Sequence, residues 1–169
     1  ALGFPFVVRV LSDGEPFDRW TWWSDDATTE TVVLEWTKML VAARYLFDPP
    51  DGADPGVACL SHLALTLWLL GYPEQALPDS QGALALARRL AHPYSLTFAL
   101  ALATWLHQYD RQPQLTRETG EAAITLAAEQ GFNLLGEMAT ILVGWARTEQ
   151  GEIEEGIAQI FEGLAGFRA

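Results

Sequence analysis

Three short turns recur at nearly equal spacing along this 169-residue chain, and that recurrence constrains the fold more than any other feature. They are Leu70-Gly71-Tyr72, Tyr109-Asp110-Arg111 and Gln150-Gly151-Glu152, with central residues 39 and then 41 apart. An apolar helical segment precedes each turn, roughly 56–70, 94–108 and 134–150. An amphipathic one follows, roughly 73–90, 113–130 and 152–166. The pattern is a helix–turn–helix unit repeated three times at a period near 40.

Counting from each turn residue, small or apolar residues recur at matching offsets. They are Leu60, Leu63, Ala64 and Leu67, then Ala99, Leu102, Ala103 and Leu106, then Thr140, Val143, Gly144 and Arg147. On the second helices the matching pairs are Ala76 and Ala83, Leu115 and Ala122, and Gly156 and Gly163. Small residues at fixed places suit closely approaching helices, which is the tetratricopeptide pattern stretched beyond its usual length. Helical hairpins gathered in a bundle are the alternative. The fold expected is all-α, a right-handed tetratricopeptide-like helical-repeat superhelix of about three units. An irregular N-terminal segment and one extra helix precede it. Pro78 lies inside the second helix of unit one, so that helix is expected to start near Pro78 or kink there.

Composition divides the chain near residue 50. Residues 1–50 hold four of the seven Trp and six of the eight Val; residues 51–169 are rich in helix formers. Phe47 to Gly56 carries Pro49, Pro50 and Pro55 with Gly52 and Gly56, a composition that disfavours a helix and divides the two parts. The first 50 residues read as an apolar arm (Phe4–Leu11), a Trp-rich loop (Ser12–Asp25) and a helix over about 26–46 with Val32, Trp36, Leu40 and Ala43 on one face.

Three runs carry a family resemblance. They are Asp54 to Ala76, containing Leu-Ala-Leu-Thr-Leu-Trp-Leu-Leu-Gly-Tyr-Pro-Glu-Gln-Ala, then Leu90-Ala-His-Pro-Tyr-Ser-Leu-Thr-Phe-Ala99, and Gly144-Trp-Ala-Arg-Thr-Glu-Gln-Gly151. These resemble the tetratricopeptide array of bacterial multidomain signalling proteins. In that family a class III adenylate or guanylate cyclase domain, or another effector, precedes a signal-transduction ATPase module, and the array follows. The resemblance covers about residues 54–169 and lies within the array alone. It implies that any cyclase or ATPase activity belongs to modules upstream of the array. The family continues helical repeats ahead of the match, and the Trp-rich residues 1–50 depart from that pattern.

Charge excludes several partners. Asp and Glu number 22 against 10 Lys and Arg, for a net charge of −12. Nucleic acid and anionic membrane surfaces both need clustered basic residues. No apolar run reaches the roughly 20 residues of a membrane span. Cys59 is the single cysteine, which fits a reducing compartment, so a cytoplasmic location is expected. The last helix ends Ile160-Phe-Glu-Gly-Leu-Ala-Gly-Phe167 with no polar-faced helix after it. The chain is therefore expected to be part of a longer array, to leave that face open and to self-associate.

Motifs for chemistry are lacking. The lone Lys38 follows no Gly-rich loop, and the nucleophile-elbow and zinc-helix signatures do not occur. Cys59, His62 and His107 read as core and surface residues before metal ligands. Glu118 with Glu121, and Glu152 with Glu154 and Glu155, read as solvated faces, the latter favoured at a helix start. Asp18, Asp25 and Asp26 among the tryptophans suggest a carbohydrate site, but so short a segment builds no pocket alone. No enzyme activity and no cofactor is expected.

One constellation suggests binding. In tetratricopeptide-like stacking the first helix of each unit lines a concave surface. The offsets place Ser61, Leu65, Trp68 and Leu69 there, with Leu100, Thr104, His107 and Gln108, and with Ile141, Trp145, Thr148 and Glu149. Trp68, His107 and Trp145 would form a groove with aromatic anchors. Burial of either Trp against a neighbouring helix is the alternative. The expected function is a non-catalytic scaffold that binds a protein, a peptide or neighbouring domains of the same polypeptide. A small-ligand sensor regulating a cyclase or ATPase module is the second reading. An open groove favours the first and an enclosed apolar cavity the second.

Overall fold

The computed structural model describes residues 52–167, and the readings of residues 1–50 lie outside them. Six helices follow one another: α1 (Pro55–Leu69), α2 (Pro73–Leu90), α3 (Pro93–Tyr109), α4 (Pro113–Gln130), α5 (Asn133–Glu149) and α6 (Ile153–Gly166). No strand occurs among the described residues. The helices fall within two residues of the sequence estimates at every boundary. Each packs on its neighbours in sequence, and α3 also packs on α1 and on α5. The result is an all-α, repeat-like fold with α1, α3 and α5 in a row.

Punctuation explains the regularity. Proline opens α1, α2, α3 and α4, where its missing N–H costs nothing and its fixed φ suits the first turn. Asp54 caps α1, its Oδ1 accepting from the backbone N–H of Gly56 at 2.9 Å and of Val57 at 3.2 Å. Gly71, Ala91, Arg111, Gly131 and Gly151 all have positive φ, between 51° and 94°. These residues stand twenty apart, each ending one helix two residues before the next begins. After four of these five, the next residue's N–H reaches back to a carbonyl five residues earlier, as in Tyr72 to Leu67 and Gln112 to His107, both 2.9 Å. The structural period is thus 40 residues throughout.

That period corrects the register of the middle unit. The residue matching Gly71 and Gly151 is Arg111, not Asp110. On α4 the packing positions are therefore Thr116 and Ala123, both fully buried, while Leu115 and Ala122 are exposed. The cause is a side chain: Arg111 takes the left-handed conformation that glycine marks in the other two turns, so composition hides the turn.

Pro78 also departs from expectation. Helix α2 begins at Pro73 and runs to Leu90 without a break, and Pro78 lies inside it. Both Pro78 and Glu74, whose carbonyl loses its partner, are exposed, so water can take that hydrogen bond.

The core is rich in alanine. Ala64, Ala76, Ala83, Ala87, Ala99, Ala103, Ala123 and Ala139 are buried where helices meet, with Leu67 and Leu106 between the first two pairs. Asp54 and Ser95 join the starts of α1 and α3, the Asp54 N–H donating to Ser95 Oγ at 2.7 Å. No helix among the described residues is long and apolar enough to cross a membrane.

Candidate functional site

The row of α1, α3 and α5 builds the candidate site. With a period of 40, Leu65, Trp105 and Trp145 share one register position, as do Trp68, Gln108 and Thr148, and as do Leu69, Tyr109 and Glu149. Sequence reasoning missed Trp105 and Tyr109 because it placed unit two one residue early. Trp105 is 37% exposed and Leu69 is 65% exposed, so both present apolar surface to solvent.

Tyr109 joins the helices. Its ring lies 5.2 Å from that of Trp68 on α1 and 6.0 Å from that of Trp105 on α3, tilted in both cases. Rings at such separations attract beyond their buried area. Two further contacts follow towards the helix starts: His62 with Phe98 at 5.6 Å, and Tyr94 edge-on to Phe132 at 5.0 Å. The aromatic side chains thus run along the helix row rather than sitting at one point.

The predicted residues divide. Leu65 packs beside Ala101 and Leu102 and bridges α1 to α3. Trp68 lies against the cluster of Ala64, Leu67, Ala76 and Leu106, its Nε1 buried without a hydrogen-bond partner. Leu69 and Glu149 are exposed, and Gln108 and Trp145 are half-buried. Thr104 is fully buried, its hydroxyl donating to the Leu100 carbonyl at 2.8 Å and its methyl near Gly120 of α4. Ile141 lies against Gly163 of α6. Thr104 and Ile141 therefore serve helix packing, and Trp105 and Tyr109 take their place on the open face.

His107 stands at the position of Leu67 and Arg147, beside the turn into α4. Its Nδ1 is buried with no hydrogen-bond partner, and burial holds its pKa below the usual histidine value, with Asp110 pulling the other way. Arg147 at the same place pairs with Glu152 at 3.7 Å. His62 Nδ1 meets the Ala58 carbonyl at 2.8 Å, and burial raises the Cys59 thiol. No group of three or more His, Cys, Asp or Glu among the described residues is placed to hold a metal.

A polar clamp fixes unit two to unit three. Arg117 donates to Glu152 at 2.7 Å, to Gln150 at 2.9 Å and to Glu121 at 3.1 Å, while Gln150 donates to Gln114 at 2.9 Å. It holds the α5–α6 turn against α4, so the helix row keeps its spacing. No family model matches the chain, and no curated protein or solved structure matches it.

Proposed function

We propose that this chain is a non-catalytic, tetratricopeptide-like scaffold that binds a protein or peptide partner along the face of α1, α3 and α5. The observation that carries the reading is the alignment of Leu69, Trp105 and Tyr109 with Trp68 behind them. An apolar patch across α1 and α3, bordered by Gln108, Thr148 and Glu149 towards α5, suits an extended or helical peptide that sets apolar residues on the patch and polar ones beside it. The uniform 40-residue period and the contacts of α3 with both α1 and α5 support stacked units over a closed bundle. The resemblance of residues 54–169 to the array of bacterial cyclase–ATPase signalling proteins adds a cytoplasmic regulatory setting, with neighbouring domains as partners.

Peptide display against the immobilised chain tests this. Selected peptides are expected to bind Trp105→Ala about thirtyfold more weakly, the loss of one aromatic anchor. The same change should lower the melting temperature less than Trp68→Ala, because Trp105 is 37% exposed whereas Trp68 packs against the cluster of Ala64, Leu67, Ala76 and Leu106. Failure to enrich any sequence, or enrichment of peptides indifferent to both Trp105→Ala and Leu69→Ala, would overturn the reading.

A further inference from the structure

The repeat specifies what fits against the flank of α1 that faces away from α2. Twice, the second helix of a unit seats its buried stripe on the helix that follows. Ala83 and Ala87 of α2 cluster with Ala99 of α3, and Ala76 clusters with Leu106. Ala123 of α4 clusters with Ala139 of α5, while Gly120 and Ala127 lie against Val143 and Gly136. At the 40-residue period these positions of α3 and α5 correspond to Gly56, Cys59, Leu63 and Thr66 on α1. Ala99, Leu106, Ala139 and Val143 are at most 2% exposed, whereas Cys59, Leu63 and Thr66 are half-buried and Gly56 is exposed. No described helix precedes α1, so this flank meets none among the described residues.

Register, size and tether name the occupant. The buried stripe of α2 is Ala76, Ser80, Ala83 and Ala87. Forty residues earlier stand Trp36, Leu40, Ala43 and Phe47, all apolar, on the stretch whose periodicity reads as a helix. A shift of one residue would bring Glu35 into the stripe, or Arg44 and Asp48. Unshifted, Glu35, Lys38 and Asp48 fall where α2 exposes Gln75, Pro78 and Arg88, and Arg44 falls at the rim, where Leu84 is half-buried. Sizes exchange across the seam. Helix α2 sets Ala76 and Ala87 near Leu106 and Leu96, and the same positions here pair Trp36 with Thr66 and Phe47 with Gly56. The chain enters α1 at a fixed point, since Ala53 is 2% exposed and the Asp54 N–H is held by Ser95 Oγ at 2.7 Å. From Phe47 to Ala53 the backbone reaches at most about 20 Å. So short a tether holds the segment near this flank at an effective concentration of roughly millimolar, which a separate chain must exceed. We propose that residues 33–47 form a helix of this chain seated on α1 as α2 sits on α3, with Ala43 against Cys59, Leu40 against Leu63 and Trp36 against Thr66. Helix α1 is then covered on both flanks, and a partner meets only its aromatic face.

The single cysteine makes the seam testable in the full chain by disulfide cross-linking. A disulfide needs Cα atoms within about 7 Å, so it reports direct contact. Ala43→Cys under copper–phenanthroline oxidation is expected to join Cys59 within one chain, read by mass spectrometry as a disulfide-linked peptide pair in the monomer. Lys38→Cys, on the outward face, should join it at least tenfold more slowly. A second pair, Leu40→Cys with Leu63→Cys in a Cys59→Ser chain, reports on the same seam should the first variant misfold. Adding Trp105→Ala should leave the cross-link unchanged, so this contact stands or falls apart from peptide binding on the aromatic face. The proposal is overturned if neither pair closes within the chain, if Lys38→Cys reacts as fast as Ala43→Cys, or if the disulfides form only between two chains.

Discussion

The α1–α2 and α5–α6 pairs occupy the same 40-residue frame and bring their helices together by different means. In the first pair the contact positions are Ala64, Ala76 and Ala83, whose methyl groups are buried between the helices. In the last pair the same positions are Gly144, Gly156 and Gly163. A Cβ on Gly144 would stand 2.7 Å from the Gly156 carbonyl oxygen, and one on Gly156 would stand 2.6 Å from the Gly144 oxygen. Backbone meets backbone there, as side chains meet in the first pair. The turns set where helices begin and end, and the size of three residues sets how closely they lie.

The frame can be broken at the middle pair, where the largest effect is expected. Leu106 is fully buried among Ala64, Leu67 and Ala76. Leu106→Ala should cost about 3 kcal/mol by lost transfer energy and a residual cavity. Leu115→Ala removes the same atoms from an exposed site and should stay within about 0.5 kcal/mol. Urea melts of the two variants compare them directly. Equal losses would return unit two to the register anchored on Asp110.

The glycine contacts sharpen the comparison through a pair of opposite substitutions. Helix propensity alone predicts that Gly156→Ala stabilises by about 1 kcal/mol and that Ala76→Gly destabilises by about as much. Packing reverses the first sign, because the new methyl would collide with the Gly144 carbonyl and the Thr148 backbone. Gly156→Ala should therefore lose about 2 kcal/mol net, within the usual range for overpacking. Ala76→Gly should lose about 1 kcal/mol, adding little cavity. A stabilised Gly156→Ala variant would show that the last pair does not depend on close backbone approach.

Much of this was legible before any coordinates. Apolar periodicity and the prolines at 73, 93 and 113 place the helices, and Ala64, Ala76 and Ala83 mark their closest approach. The middle turn was legible only to within one residue. Gly71 and Gly151 announce a left-handed residue, while Arg111 adopts the same conformation with a side chain that gives no such signal. On a helix one residue is a rotation of about 100°. That slip exchanged buried Thr104 for open-facing Trp105 and buried Thr116 for exposed Leu115. The outer units, anchored on glycine, keep the offsets read from their turns for Leu65, Leu69 and Trp145, although Ile141 in the last unit packs against Gly163 of α6. Burial of Trp68 against α3 was less legible, since it depends on Tyr109 from the displaced unit.

The smallest effect concerns one position seen three ways: Leu67, His107 and Arg147. The leucine is buried in the core, and the arginine answers Glu152. The histidine has neither solution, since its Nδ1 is buried and unpartnered and burial lowers its pKa. Below about pH 6.5 the unfolded chain takes up a proton at this imidazole that the folded chain resists. Stability from this residue is therefore full above that pH and is lost as pH falls through it, until the folded imidazole protonates too. Asp110 moderates the loss, because its carboxylate favours the charged ring. His107→Leu installs the residue of the first unit and removes the titration. Its melting temperature should fall less than that of the wild type between about pH 7.5 and about pH 5.5. His62 and His92 remain in both proteins, so only the difference between the two slopes belongs to His107. Identical slopes would mean that the ring stays solvated in the folded chain, and that the middle unit tolerates a polar residue here as freely as the last tolerates Arg147.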